Sequence, residues 1–172
     1  RVIRVAHSPD SDDAFMFYGL ASGEIDTAEL AFEHELQGIQ ELNERAMRGE
    51  LEVTAVSIHA YAYLTDRYIL LPHGASMGEG YGPRLVSRVP MDRDAIRSCT
   101  IAIPGELTSA YLALKLWEPD ARTVVMPFDE ILEAVRDGQV DVGLIIHEGQ
   151  LTYADEDLVL LEDLGRWWKE ET

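Results

Sequence analysis

The stretch that decides the fold is EILEAVRDGQVDVGLIIHE, Glu130–Glu148. Its first half has the apolar spacing of an amphipathic helix, and Gly138 stands where such a helix ends. Its second half contains VDVGLII, Val140–Ile146, which has strand length, and its four apolar residues after Asp141, Gly143 aside, are followed at once by His147. A helix that leads directly into a buried strand is half of a crossover unit, so the stretch predicts a mostly parallel sheet.

A second stretch, ELNERAMRGELEVTAVSIH at Glu41–His59, repeats this pattern. When Gly49 is matched with Gly138, at an offset of 89 residues, both stretches show a helix, a glycine stop and an acidic-apolar strand start. VAHSPDSDDAFMF and IAIPGELTSAYLA, which begin at Val5 and Ile101, match at an offset of 96. The two offsets differ by loop length, so the chain is predicted to contain two lobes of like topology.

The predicted elements alternate in both lobes, which we place at residues 1–90 and 98–172. In the first lobe the expected strands are VIRVAH, ELAFEHEL, LEVTAVS and RYILLP, and the expected helices are SDDAFMFYGLASG, GIQELNERAMRG and IHAYAYL. In the second lobe the strands are CTIAIPG, RTVVMP and VDVGLII, and the helices are TSAYLALKLW and FDEILEAVRDG. The helix in GIQELNERAMRG should turn Ile39, Leu42, Ala46 and Met47 inward.

Composition restricts the function. Of the 172 residues, 47% are hydrophobic, which excludes a mainly disordered chain. The net charge of −18 repels phosphate backbones, so nucleic acid is not an expected partner. The single cysteine, Cys99, excludes a disulfide within the chain and a cysteine metal cluster. No apolar run approaches membrane-spanning length and RVIRVAHSPD has no signal-peptide pattern, so we expect no membrane insertion and a cytoplasmic protein.

Ligands of α/β folds bind outside the carboxyl ends of parallel strands, here in a cleft expected between the lobes. That rule selects residues 8–13 and Ser57 in the first lobe, and residues 105–110 and His147 in the second. Thr108 and Ser109 are candidates for a helix N-cap, which is either an anion site or an ordinary cap without a ligand.

Three acidic side chains, Asp10, Asp12 and Asp13, lie in the corresponding turn of the first lobe. One should cap the following helix, and the others either repel an anionic ligand or accept hydrogen bonds from ligand hydroxyls. A second acidic cluster that would complete a coordination shell is absent from the sequence, so a metal site is not expected.

His147 is the candidate general base, because an imidazole can take and return a proton near neutral pH. The alternative is a histidine that only hydrogen-bonds a loop, and His7, His34, His59 and His73 suit that structural interpretation better.

SPDSDDAFMFYGL, PGELTSAYLALKLW, GLIIHEGQLTY and DLGRWW resemble, in order and spacing, the motifs of the 1,4-dihydroxy-6-naphthoate synthases of the futalosine route to menaquinone. The resemblance runs from Val5 to Trp168. It implies an α/β fold of the two-lobed periplasmic-binding-protein type 2 kind. It also implies a carbon-carbon lyase that cleaves cyclic de-hypoxanthine futalosine, a small carboxylate, into 1,4-dihydroxy-6-naphthoate and dihydroxyacetone without metal or redox cofactor.

On this resemblance His147 matches the general base of the family. Ser57, Ser109 and Ala110 match positions that hold the polar or carboxylate end of the substrate, with Thr108 adjacent, and Asp13 is retained. Two alternatives stay open. Chorismate dehydratase shares the fold and acts earlier in the same pathway, and a solute-binding protein for a small carboxylate would need the fold alone.

The chain also departs from the family pattern. The first motif of the family commonly has Ser-Pro-Cys-Pro-Asn-Asp, whereas Asp10, Ser11 and Asp12 stand here in place of the Cys, Pro and Asn. A carboxylate at Asp12 lacks the amide donor, which weakens the expectation of ligand contact there. Family members continue beyond the point that matches Thr172, with a segment that returns to the first lobe, so we expect that lobe to be incomplete without it.

Overall fold

Two separate sheets form the protein. The computed structural model describes residues 1–147 and 149–172, and the chain divides into two units, Arg1–Met77 and Gly78–Thr172. The first unit contains a three-stranded sheet and the second a five-stranded sheet.

The first unit alternates strands and helices. Its elements are β1 (Val2–His7), α1 (Ser11–Ala21), β2 (Ala31–Leu36), α2 (Ile39–Arg48), β3 (Val53–Thr54) and α3 (Ile58–Tyr61). The sheet order is β2-β1-β3, and both pairings are parallel. A parallel sheet is what the predicted crossover connections require.

Helix α2 covers this sheet with the face that carries Leu42 and Ala46, which are fully buried. Leu42 packs with Ala6 of β1 and with Leu51, and α2 ends at Gly49, whose φ of 71° suits glycine. Met47 was predicted to point inward, but it is exposed, because Asn43 and not Met47 lies on the buried face of α2.

The second unit begins before the expected lobe boundary. Its elements are β4 (Arg84–Ser87), α4 (Arg93–Ser98), β5 (Thr100–Ile103), α5 (Ser109–Trp117), β6 (Arg122–Val125), α6 (Ile131–Arg136), β7 (Val142–Ile145), α7 (Gly149–Thr152), a 3₁₀ helix (Tyr153–Glu156), β8 (Val159–Asp163) and α8 (Leu164–Glu171). The sheet order is β6-β5-β7-β4-β8. Strands β6, β5 and β7 run parallel, and β4 is antiparallel to both β7 and β8.

The inner strands of the second sheet are buried on both faces. Neighbouring residues of one strand point to opposite faces, so Leu144 joins a core with Leu114 of α5, while Ile145 joins a core with Ile131 of α6. Gly143 lets α6 approach closely, because a Cβ there would lie 2.7 Å from the Ile131 side chain. This two-sided burial explains the continuous apolar run that the sequence shows before His147.

Two segments differ from the predicted elements. RYILLP is not a strand, since Ile69, Leu70 and Leu71 are exposed and pair with no strand among the described residues. Strand β4, within the expected first lobe, instead pairs with β7 and β8 of the second unit. The unit boundary at Met77 and Gly78 therefore precedes the expected linker, and α4 occupies most of that linker.

The helices of the described residues are all too short to cross a bilayer. The longest of them, α1, has 11 residues, whereas a transmembrane helix needs about 20.

Candidate functional site

The turn after β5 in the second unit is built around Thr108. This residue is the N-cap of α5, and its hydroxyl accepts a hydrogen bond from the Tyr111 N–H at 3.2 Å. The same hydroxyl donates to the Gly105 carbonyl at 2.7 Å, and Thr108 is only 2% exposed. The prediction of an N-cap at this turn is confirmed for Thr108, while Ser109 is the first helical residue.

The N-terminus of α5 can hold an anion. The Leu112 N–H donates to the Thr108 carbonyl at 3.2 Å, so the N–H groups of Ser109 and Ala110 precede this helical hydrogen bond. Ser109 is exposed at the surface, whereas Ala110 is buried. Because the N-terminal end of a helix is positive, this end of α5 suits a carboxylate.

His147 lies two residues beyond β7, with its backbone in the left-handed region at φ 56°. Histidine visits this region more readily than most residues, and the conformation turns the chain sharply after the buried strand. The carbonyl of His147 accepts from the Gln150 N–H at 3.0 Å. Its half-buried ring lies edge-on to Phe128, with the ring centroids 5.2 Å apart. Glu148, which follows in the motif, lies outside the described residues.

Phe128 was not found from the sequence. The sequence predicted it as the first residue of the helix FDEILEAVRDG, but it lies in the loop between β6 and α6, because the helix begins only at Ile131. The signal available was its place directly after a predicted strand, at the end where ligand-binding loops lie.

In the first unit, the turn that corresponds to the one at Thr108 is stabilised by hydrogen bonds to its own acidic side chains. Asp13 accepts from the Ser8 N–H at 2.6 Å, and Asp10 accepts from the Ser8 hydroxyl at 2.6 Å. All three residues are buried. Burial raises the pKa of the Asp13 carboxyl above its usual value, while the hydrogen bond from Ser8 opposes that shift. The Asp13 carboxylate is thus committed to the turn itself.

A pair of histidines lies beside this turn. His7 Nε2 is 3.1 Å from His34 Nδ1, and the His7 ring stacks on Phe17 with the centroids 4.3 Å apart. One imidazole of the pair must donate and the other accept. Burial, with a smaller effect of His7, lowers the pKa of His34. The signal in the sequence was a histidine in each of two strands, which pair in parallel in the structure.

Ser57 is the N-cap of α3, and it contacts a residue that the sequence did not indicate as functional. The Ser57 N–H donates to Asn43 Oδ1 at 2.9 Å, and Asn43 Nδ2 donates to the Ser57 hydroxyl at 3.0 Å. Ser57 is half-buried, whereas Asn43 is fully buried. His59, the second residue of α3, places its ring edge-on to Tyr63, with the ring centroids 5.8 Å apart.

Within each unit the candidate residues follow parallel strands that are direct neighbours. In the second unit the turn to Thr108 follows β5 and His147 follows β7, and these strands pair with Ile101 opposite Val142. In the first unit the turn to Asp13 follows β1 and Ser57 comes after β3, which pairs with β1 in parallel. Each unit therefore gathers its candidates at the carboxyl edge of its own sheet, as the sequence predicted.

Comparison with known sequences gives the family. The family model for menaquinone biosynthesis matches residues 3–172. The chain is 39% identical over 170 residues to the 1,4-dihydroxy-6-naphtoate synthase of Thermus thermophilus, and 41% identical over 176 residues to that of Streptomyces coelicolor. In both alignments 99% of this chain is covered, and the chain spans 61% of the length of each relative.

Comparison with solved structures agrees with the fold. A crystal structure of a protein from Archaeoglobus fulgidus is 50% identical, with a TM-score of 0.94 over 99% of this chain and 63% of that one. The alkanesulfonate-binding protein of Xanthomonas axonopodis pv. citri, bound to MOPS, has a TM-score of 0.67 at 14% identity over 94% of this chain and 60% of that one.

At that identity the second likeness shows the fold alone, and it confirms the predicted two-lobed periplasmic-binding-protein architecture. The resemblance drawn from the four sequence motifs is confirmed by the family match. The chain belongs to the menaquinone biosynthesis family.

Proposed function

We propose that this protein is a carbon-carbon lyase that cleaves cyclic de-hypoxanthine futalosine into 1,4-dihydroxy-6-naphthoate and dihydroxyacetone. The observation that carries the proposal is the placement of His147, whose ring is held at the carboxyl end of β7 by a left-handed backbone and by Phe128. The name of the two curated relatives supports the same reaction.

In this mechanism His147 is the general base. Its half-buried ring accepts a proton from a hydroxyl or an acidic carbon of the substrate. The electron pair that the proton leaves behind on the substrate drives cleavage of the carbon-carbon bond, and the naphthalene ring becomes aromatic. The imidazolium can then return the proton to the departing fragment. Aromatisation supplies driving force, so the protein mainly has to orient the substrate and move one proton. A reaction of this kind needs neither a metal nor a redox cofactor.

The substrate carboxylate is assigned to the N-terminus of α5. Thr108 shapes this end, and the N–H groups of Ser109 and Ala110, together with the Ser109 hydroxyl, are the proposed donors. Ser57 is proposed to bind a second polar group of the substrate. Asp13 is proposed to contribute to substrate binding by fixing the shape of its turn, because its carboxylate already accepts a hydrogen bond from the Ser8 N–H.

The test is turnover by the purified full-length protein. It is incubated separately with cyclic de-hypoxanthine futalosine and with chorismate, and the products are identified by mass spectrometry. We expect equal amounts of 1,4-dihydroxy-6-naphthoate and dihydroxyacetone from the first compound and no change in the second. Loss of water from chorismate would instead support chorismate dehydratase. Turnover of neither compound, with binding retained, would leave a solute-binding protein.

The proposal places the protein in the cytoplasm, since it acts on a biosynthetic intermediate. Cell fractionation with an antibody against the protein tests this placement, and recovery outside the cytoplasmic fraction would contradict it.

A further inference from the structure

The buried face of α2 carries one polar side chain, Asn43. It is the only asparagine of the chain, and its exposed fraction is 0%. Its neighbours on that face are Leu42 and Ala46, which pack into the core of the first unit. An amide at such a position lowers stability unless hydrogen bonds compensate its loss of water, so its contacts carry information.

Two hydrogen bonds join the Asn43 side chain to the same residue, Ser57. The Ser57 N–H can only donate, so the amide oxygen of Asn43 must face it, at 2.9 Å. This fixes the orientation of the amide, and the Asn43 NH₂ therefore points to the Ser57 hydroxyl oxygen, at 3.0 Å. Asn43 holds both the backbone and the side chain of Ser57.

The direction of the second hydrogen bond determines what the Ser57 hydroxyl can do. Its oxygen already accepts from Asn43, so the hydroxyl hydrogen is not used in that bond. A hydroxyl held in this way offers a donor to a third group. Its preferred ligand atom is an acceptor, such as a carbonyl, hydroxyl or carboxylate oxygen.

The second unit lacks this arrangement at the matching place. At the offset of 89 residues that aligns the two helix-strand stretches, Leu132 of α6 corresponds to Asn43, and Ile146 corresponds to Ser57. Leu132 and Ile146 are apolar and half-buried, so helix packing at this place does not require an amide. The polar pair of the first unit therefore has a purpose beyond packing.

We propose that Asn43 is a positioning residue that sets the Ser57 hydroxyl as a hydrogen-bond donor, and so makes Ser57 select an acceptor oxygen on the substrate. This inference rests on the proposed function for the identity of the substrate. Asn43 acts through Ser57, whereas Ser57 is the residue that touches the ligand.

The test is a double-mutant cycle with Asn43→Leu and Ser57→Ala, measured as KM and kcat for cyclic de-hypoxanthine futalosine on the full-length protein. We expect Asn43→Leu to raise KM about threefold to tenfold, the range of one lost hydrogen bond, with kcat within about twofold. In the Ser57→Ala background the same change should alter KM by less than about twofold, because coupled residues are not additive. Gln40→Leu makes the same amide-to-leucine change on α2 and should leave both constants near native values.

Two further measurements separate positioning from folding. Asn43→Asp keeps an acceptor for the Ser57 N–H but removes the NH₂ donor, so the Ser57 hydroxyl would donate to the new carboxylate and lose its donor to the ligand. We expect this variant to raise KM at least as much as Asn43→Leu while its Tm stays closer to that of the native protein. Hydrogen exchange of the ligand-free protein should show faster exchange of the Ser57 N–H in Asn43→Leu and unchanged exchange in Gln40→Leu.

Additive effects of Asn43→Leu and Ser57→Ala on KM would overturn the inference, because Asn43 would then act independently of Ser57. Unchanged exchange of the Ser57 N–H in Asn43→Leu would overturn it as well. If the native protein turns over no substrate, the proposed function fails and so does the substrate assigned to Ser57, while the exchange experiment still decides whether Asn43 holds Ser57.

Discussion

The two units hold their candidate residues by different means. In the first unit side-chain hydrogen bonds fix them, since Asp13 accepts from Ser8 and Asn43 bonds Ser57 twice. In the second unit a helix cap and a turn conformation fix them, since the Thr108 hydroxyl caps a nine-residue helix and His147 has a left-handed φ. The first unit should therefore respond to changes in buried side chains, and the second to changes in helix capping and turn conformation.

The two turns also differ in charge. At the offset of 96 residues Asp12 of the first unit corresponds to Thr108 of the second. Carboxylates crowd the first turn, whereas a neutral hydroxyl caps the positive end of α5 in the second. Of the two corresponding turns, the one at α5 is thus better suited to an anion, which is why we propose it as the place of the substrate carboxylate.

The largest effect is expected from His147→Asn. Asparagine tolerates the left-handed backbone, so this change removes the imidazole and keeps the turn. We expect kcat to fall by about 10²–10⁴-fold, the usual contribution of a general base, while the substrate Kd stays within about tenfold. Single-turnover kinetics and calorimetry measure the two quantities. His73→Asn, at an exposed position, is the control. A near-native kcat in His147→Asn would remove the residue from the role of base.

The next effect is expected from Thr108→Val, which tests the helix cap of the second unit. The change removes a buried hydroxyl that donates to Gly105 and accepts from Tyr111. We expect the free energy of unfolding to fall by about 1–2 kcal/mol, the usual loss for a helix cap. Urea denaturation measures it. Thr100→Val, at an exposed position of β5, should stay within about 0.5 kcal/mol of the native protein. Equal losses in both variants would show that the cap does not stabilise α5.

A smaller effect is expected from Ser109→Ala, which deletes a proposed substrate donor at the exposed start of α5. We expect KM to rise about tenfold with kcat unchanged, because a hydrogen bond to a charged carboxylate contributes about 1.5 kcal/mol or more. Steady-state kinetics measure both constants, with Ser98→Ala at an exposed position of α4 as the control. A fall in kcat alone would contradict the binding role of Ser109.

The smallest effect concerns the pH dependence of the first unit. The folded pKa of His34 lies below its ordinary value of 6.5, so the unfolded chain takes up the proton first. The stability linked to His34 is therefore present above about pH 6.5 and is lost as the pH falls through the folded pKa.

We expect the Tm of His34→Gln to fall less between pH 7 and pH 5 than the Tm of the native protein does. The two falls should differ by less than about 4 °C. Thermal unfolding followed by circular dichroism measures it. His73→Gln, at an exposed position, should keep the native slope. The raised pKa of Asp13 acts in the opposite direction. The stability of the fold that is linked to this carboxyl is lost as the pH rises above its ordinary pKa of 3.8. A native slope in His34→Gln would assign the decline to other groups.

Most of the fold was predictable from local patterns. The alternation of apolar runs with amphipathic stretches predicted the three parallel strands of each unit that surround the candidate residues, and Gly49 and Gly138 marked two helix ends. The segment RYILLP was misassigned, because an apolar run of strand length needs a partner strand that local sequence does not reveal. The place of β4 was also missed, since antiparallel pairing with β7 and β8 joins residues far apart in the chain.

The sequence by itself determined where the candidate residues lie along the chain. Thr108, Ser109 and Ala110 follow one strand and His147 another, and hydrophobic periodicity locates strand ends. Only the tertiary structure decided what holds them. The His7–His34 pair, the support of His147 by Phe128 and the bonds from Asn43 to Ser57 all join side chains from different elements. Such contacts depend on strand register and helix rotation, which packing of the whole unit sets and no local pattern records.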